Sequence, residues 1–154
     1  MIKQIMKAGL LAGTLDIAAA CIQAYAVRRI MPGDVLKYVA SGVFGSAAFE
    51  GGYGMMFMGL LFHFFIAIAC AAVFFVSYPK IELLKNSIVL NSLLIALTAW
   101  AITTQVIVPI SNVPKGGSFD LTRAAIAIGI LFICIGMPIS VLAKRYFNRV
   151  KSNS

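Results

Sequence analysis

The chain has 154 residues, 61% of them hydrophobic and 12% charged, with thirteen Lys and Arg against five Asp and Glu for a net charge of +8. A soluble domain runs nearer half apolar and a quarter charged, so the composition excludes a soluble enzyme and a disordered chain. It also excludes a nucleic-acid binder: the basic residues are scattered between apolar runs and form no continuous face for a phosphate backbone. They read instead as membrane flanks.

Four stretches are long and uncharged enough to cross a bilayer as helices, roughly 8–27, 55–76, 87–108 and 124–143. Of all the Asp, Glu, Lys and Arg residues, only Asp16 falls inside them. The runs do not alternate with period two, as barrel strands would, so helices are the solution that satisfies the backbone in lipid. The first stretch follows Lys3 and Lys7 and ends in Ala24-Tyr25-Ala26, which gives it some likeness to a signal peptide. Its length, its central aspartate and the Arg28-Arg29 pair that follows favour a retained first span.

Residues 30–54 are not an ordinary loop. Pro32-Gly33-Asp34 reads as a helix start, and the apolar stretch that follows is too short to span. A run of small residues comes next, Gly42, Gly45, Ser46, Ala47, Ala48, Gly51, Gly52 and Gly54. An interfacial or partly re-entrant helix over about 34–48 is expected, either as plain packing or as a lid.

Inside the spans, small and polar residues share helical faces. Span one carries Gly9, Gly13, Asp16, Ala20 and Gln23; span two carries Gly59, His63, Ala67 and Cys70. Span three has Ser87, Asn91, Thr98 and Gln105 and ends at Pro109, and span four has Gly129, Ile133, Gly136 and Ser140 with Pro138 beside them. Small residues let helices approach closely and aim their polar neighbours into the bundle. Asp16 and His63 lie near the middle of antiparallel neighbours, which puts them at one depth. An ionised carboxylate at mid-bilayer costs at least about 2.5–3.5 kcal/mol, so Asp16 is expected to be protonated, paired with His63 or open to water. Imidazole exchanges protons near neutral pH, and with a carboxylate beside it can serve as a proton relay. A polar series follows, from Glu50 at the mouth through Gln105 to Asp16, His63 and Thr98, then Asn91 and Ser87. The same groups also read as interhelical clasps, worth roughly 0.6 kcal/mol each.

Cys21, Cys70 and Cys134 sit singly in apolar runs, with no paired spacing and no histidine cluster, and read as small core residues. No metal site, cofactor or catalytic constellation is expected, and one ionisable pair does not specify an enzyme. Lys3, Lys7, Lys80, Lys85, Lys144, Arg145, Arg149 and Lys151 gather on the side of both termini, against Arg28, Arg29, Lys37, Lys115 and Arg123 opposite. The positive-inside rule puts both termini in the cytoplasm.

Several strings, in order along nearly the whole chain, resemble a family of small uncharacterised bacterial integral membrane proteins: Gly-Thr-Leu-Asp-Ile at 13–17, Val-Leu-Lys-Tyr-Val-Ala-Ser-Gly-Val-Phe-Gly at 35–45, Ala-Phe-Glu-Gly-Gly at 48–52, Gly-Leu-Leu-Phe-His-Phe at 59–64, Tyr-Pro-Lys at 78–80 and Val-Pro-Ile-Ser-Asn-Val-Pro at 108–114. A looser similarity over about 59–114 is to the YagU-like inner-membrane proteins, whose longer N-terminal and loop insertions this chain lacks. The resemblance implies a four-helix membrane fold, assigns no activity, and matches Asp16, Glu50, His63, Pro109 and Pro114.

The expectation is a single-domain, all-α membrane protein over residues 1–154. It has four transmembrane helices, with a short interfacial or re-entrant helix between the first two. Its location would be a bacterial inner membrane. Its expected role is transport- or channel-like, proton-linked through Asp16 and His63, with the lipid bilayer, a small solute or proton and a second copy of itself as partners. The alternative is a structural or interaction protein whose polar residues hold the bundle or a partner helix together. A third reading, a membrane enzyme acting on lipid or quinone, would use the groove under residues 42–54 and require a lipid near His63.

Overall fold

An apolar run in lipid must satisfy its backbone N–H and C=O groups internally, and a helix does so within one segment. The computed structural model describes residues 1–82, 84, 87–112 and 120–152, with helices and no strand among them. Lys85, Pro114 and Lys115 lie outside the described residues. In chain order the helices are α1 (Ile2–Arg28), α2 (Pro32–Phe44), the single turn α3 (Ala47–Glu50), α4 (Tyr53–Ser77), α5 (Ile88–Ile110) and α6 (Leu121–Ser152). Of these, α1, α4, α5 and α6 are long and apolar enough to cross a membrane. The chain is a multi-pass helical membrane protein.

Two helices outrun the expected windows. α1 begins at Ile2, and α6 continues through Lys144, Arg145, Arg149 and Lys151, because cations are favourable at a helix C-terminus and the helix need not stop where the apolar run does. The expected helix over 34–48 is broken in two. Gly45 takes a φ of 62°, a left-handed value that glycine adopts without strain, and ends α2 before α3 begins.

Surface apolarity is the first sign of lipid as solvent: Phe65 is 73% exposed and Val73 67%. The interior is built from small residues instead, among them Ala8, Ala12, Ala67, Ala71, Ala96 and Ala143. Without a hydrophobic drive between helices in lipid, close backbone approach and van der Waals packing hold the bundle. α1 runs antiparallel to α4, and a Cβ on Gly9 would stand 2.6 Å from the Ile68 Cα, while one on Gly13 would stand 2.9 Å from the Phe64 ring. α6 packs on α1 and on α5, where Gly136 lies against the Ser92 backbone and the Ser92 and Ser140 hydroxyls meet at 3.3 Å. α4 and α5 stand apart, which leaves a groove between them.

At the end that holds both termini the interior is closed by aromatic packing. Tyr78 stacks on Phe147 with ring centroids 5.0 Å apart, and Phe75, fully buried, lies 6.1 Å from Tyr146 and 6.3 Å from Phe147. Ile139 and Leu84 fill the space around them.

Both α5 and α6 contain a π-helical segment, Thr103–Ile107 and Phe132–Gly136, in which Val108 N–H donates to the Thr103 carbonyl and Met137 N–H to that of Phe132. Each segment ends two residues before a proline, Pro109 or Pro138. A proline lacks the N–H for the carbonyl four residues back, and its ring clashes there; a wider turn relieves the conflict. The extra residue rotates the faces on either side. Accordingly the expected inner face of span four is only half right: Gly136 and Ser140 are interior, whereas Gly129 meets open space and Ile133 is 65% exposed.

α2 does not lie flat across the bundle. Gly33 sits by Met56, the Leu36 carbonyl and Ala40 rest on Gly59, and the Phe44 ring stacks on Phe62 at 6.1 Å. Along these contacts α2 advances about 16 Å and α4 about 9 Å in the same direction, at 1.5 Å per residue. The helix therefore slopes inward beside α4. Its far end is held by Asn112, whose backbone N–H donates to the Gly42 carbonyl at 3.1 Å and whose side-chain amide donates to that of Val43 at 3.0 Å.

Candidate functional site

α1, α2, α4, α5 and α6 enclose a cavity of about 390 Å³ in the middle of the bundle and toward the end remote from the termini. Asp16, Ala20 and Gln23 reach it from α1, and His63, Ala67 and Cys70 from α4. The sloping α2 roofs it with Tyr38, Val39 and Gly42. α5 contributes Trp100, Thr103 and Thr104, with Ser111 following it, and α6 contributes Leu131 and Ile135. Residues from both π-helical segments therefore line the space, on helices that a regular α-turn would have aimed elsewhere.

His63 and Asp16 come together here. The His63 Nε2–H donates to the Gly13 carbonyl at 2.9 Å, and the same nitrogen lies 3.9 Å from Asp16 Oδ2. The first contact is a hydrogen bond; the second is an electrostatic neighbour beyond hydrogen-bond range. The local sequence explains the pairing. Gly13 has no side chain, so α4 comes close enough for the imidazole to reach a helix carbonyl, and Asp16 lies one turn further on the same face of α1. The carboxylate accepts no hydrogen bond from any described residue, and the His63 and Asp16 side chains keep 13% and 18% of their surfaces accessible. Among the described residues lining the cavity, Asp16 is the one carboxylic acid and His63 the one imidazole, and no Lys or Arg is among them. An under-coordinated carboxylate in an otherwise apolar and hydroxyl-lined space can take a proton, a cation or a donor group.

The remaining residues of the expected series do not form a file through the bundle. Glu50 is exposed on α3 and Gln105 is exposed on the π-helical turn of α5, both outside the cavity; the wide turn before Pro109 carries Gln105 off the inner face. Thr98 lines the separate groove between α4 and α5. Near the termini, Ser87 caps α5 by accepting from the Leu90 N–H at 3.4 Å, and the fully buried Asn91 amide donates to the Leu84 carbonyl. These two hold a turn. Beyond them lies the aromatic closure, so the cavity is blind at that end.

The sequence reading did not single out Tyr38, Trp100, Thr103, Thr104 or Ser111. Thr104 donates to the Trp100 carbonyl at 2.8 Å, an i−4 bond inside the helix. The available signal was the spacing of Thr103-Thr104 from Pro109, which marks a wide turn, combined with a face that a strict 3.6 period does not predict. Cys70 borders both the cavity and the groove; Cys21, Cys70 and Cys134 are free thiols. No group of three or more metal-ligating side chains occurs among the described residues.

No protein-family model matches the chain, and no curated protein or solved structure matches it. The functional reading therefore rests on the geometry of this cavity.

Proposed function

We propose that the protein is a small transport-type membrane protein in which protons exchange at Asp16 and His63. The observation that carries this reading is the Asp16 carboxylate, without a hydrogen bond from any described residue and 3.9 Å from an imidazole, in a cavity lined by five helices. Burying an acid at mid-span without hydrogen bonds costs free energy, and a site that only held helices together would satisfy its carboxylate. The closed aromatic end supports an access cycle in which the Phe75, Tyr78 and Phe147 packing separates to release what the cavity admits. In this reading both termini are cytoplasmic, from the lysine and arginine bias, and the membrane is a bacterial inner membrane, from the resemblance to small bacterial integral membrane proteins. A single bundle gives one narrow path, so the working unit is a homo-oligomer.

A second reading has its own observation. The His63 bond to the Gly13 carbonyl ties α4 to α1, as a clasp would. Proteoliposomes separate the two. Under a pH gradient, Asp16→Asn is expected to abolish proton flux while leaving thermal stability in detergent within about 0.5 kcal/mol, because the substitution breaks no hydrogen bond. Unchanged flux in both Asp16→Asn and His63→Ala, with stability lost in the latter, would refute transport and leave the clasp.

A further inference from the structure

The groove between α4 and α5 has a volume of about 410 Å³, close to that of the central cavity, and the two share Ile66, Cys70 and Ala99 as a common wall. The groove is lined almost wholly by apolar side chains such as Phe65, Val73, Leu94 and Ile102. α4 and α5 part there, so it faces lipid directly. Two of the three wall residues are small. On one side is an apolar trough at membrane depth; on the other is the Asp16 carboxyl group, with the His63 imidazole 3.9 Å away and no Lys or Arg among the described lining residues. Tyr38 and Trp100 line the cavity with Asp16, and aromatic faces together with a carboxylate are the chemistry that holds an organic ammonium ion.

We propose that the cavity and the groove together bind an amphiphilic monocation, with its ammonium head at Asp16 among Tyr38 and Trp100 and its apolar body in the α4–α5 groove, reached sideways from the lipid as the small Cys70 and Ala99 side chains of the shared wall give way. This rests on the transport reading and names the substrate class. Charge decides against the alternatives. An anionic amphiphile would place its head against Asp16 with no Lys or Arg among the described lining residues to compensate. A free inorganic cation would leave the groove without a role.

Trp100 is the chain's one tryptophan, which makes it a reporter for the cavity. Decyltrimethylammonium added to the protein in phosphatidylcholine vesicles is expected to change Trp100 emission saturably, and the vesicles should retain labelled cation in proportion to protein. Asp16→Asn is expected to weaken both signals at least tenfold, as the loss of a charged contact does, and it should fold because the carboxylate accepts no hydrogen bond. Decanesulfonate, of equal chain length, is expected to show no saturable change, and tetramethylammonium to bind at least tenfold more weakly than the long cation. The proposal is overturned if the cation and the sulfonate behave alike, if Asp16→Asn binds the cation as well as the intact protein, if tetramethylammonium binds equally well, or if neither signal saturates. Proton flux that still depends on Asp16 in a protein that does not bind the cation would remove this inference and leave the transport reading standing.

Discussion

Gly59→Ala tests how α2 roofs the cavity. A methyl group on Gly59 would stand against the Leu36 carbonyl oxygen of α2, 2.8 Å from the Leu36 carbonyl carbon and 3.3 Å from the Ala40 nitrogen. Ordinary carbon–carbon contact is about 3.5–4.0 Å, so α2 must retreat by roughly 1 Å. The obstacle is backbone, which cannot swing aside as a side chain does. Opposing this, alanine is favoured over glycine in a helix interior by about 1 kcal/mol. Overpacking of this kind costs typically 1–3 kcal/mol, so the net effect is a loss of about 0–2 kcal/mol. The same substitution at Gly129, where a Cβ meets nothing within 4 Å, keeps the helix gain without the clash. The assay is equilibrium unfolding in mixed detergent micelles of the two variants and the intact protein, paired with hydrogen exchange over residues 36–44. Gly129→Ala should be neutral or stabilised, and Gly59→Ala should be destabilised relative to it with faster exchange in α2. If the two variants unfold alike and exchange in α2 does not change, the close seat of α2 on α4 is wrong.

Replacing His63 by Ala removes the bond to the Gly13 carbonyl and should lower stability by about 0.5–1.5 kcal/mol, whereas His63→Gln, whose amide can donate to the same carbonyl, should recover part of that loss in the same unfolding assay. Asp120 caps α6, accepting from the Thr122 N–H at 2.9 Å and from that of Arg123 at 3.4 Å. Asp120→Ala should therefore cost about 1 kcal/mol, seen as fraying at the start of α6 by hydrogen exchange; the exposed ion pair of Asp120 with Arg123 adds little to this. Asn112→Ala should leave the backbone bond to Gly42 and lose the one to Val43. Exchange should then quicken at the end of α2 with global stability changed by less than about 1 kcal/mol, and a loss well above that would mean that Asn112 does more than tether α2.

Much of the architecture was legible in the residues themselves, and the reason is solvent. Lipid expels charge and demands internal backbone bonding, so charge-free runs of about twenty residues announce helices without reference to what they pack on. The pairing of α1 with α4 was also readable: Gly9 and Gly13 mark a close approach, and equal distance from the ends of antiparallel helices brings Asp16 and His63 to one level. Glu50, Gln105, Thr98 and Asn91 were not placed, because polarity alone does not say which face of a helix a neighbour covers. Thr98 looks inward by periodicity and lands in a groove because α4 and α5 part there.

Composition and spacing by themselves determined a four-span helical membrane protein with a short helix before the second span and one carboxylate at mid-membrane. Only the tertiary structure decided that α2 slopes into the bundle on Gly59, that proline-linked π-turns rotate α5 and α6, and that the Asp16 carboxylate stands beside His63 without a hydrogen bond from any described residue, in a cavity against a lipid-facing groove. Hydropathy is a property of single residues summed along a segment. A cavity is what remains between segments once small residues, wide turns and one sloping helix have set their separations.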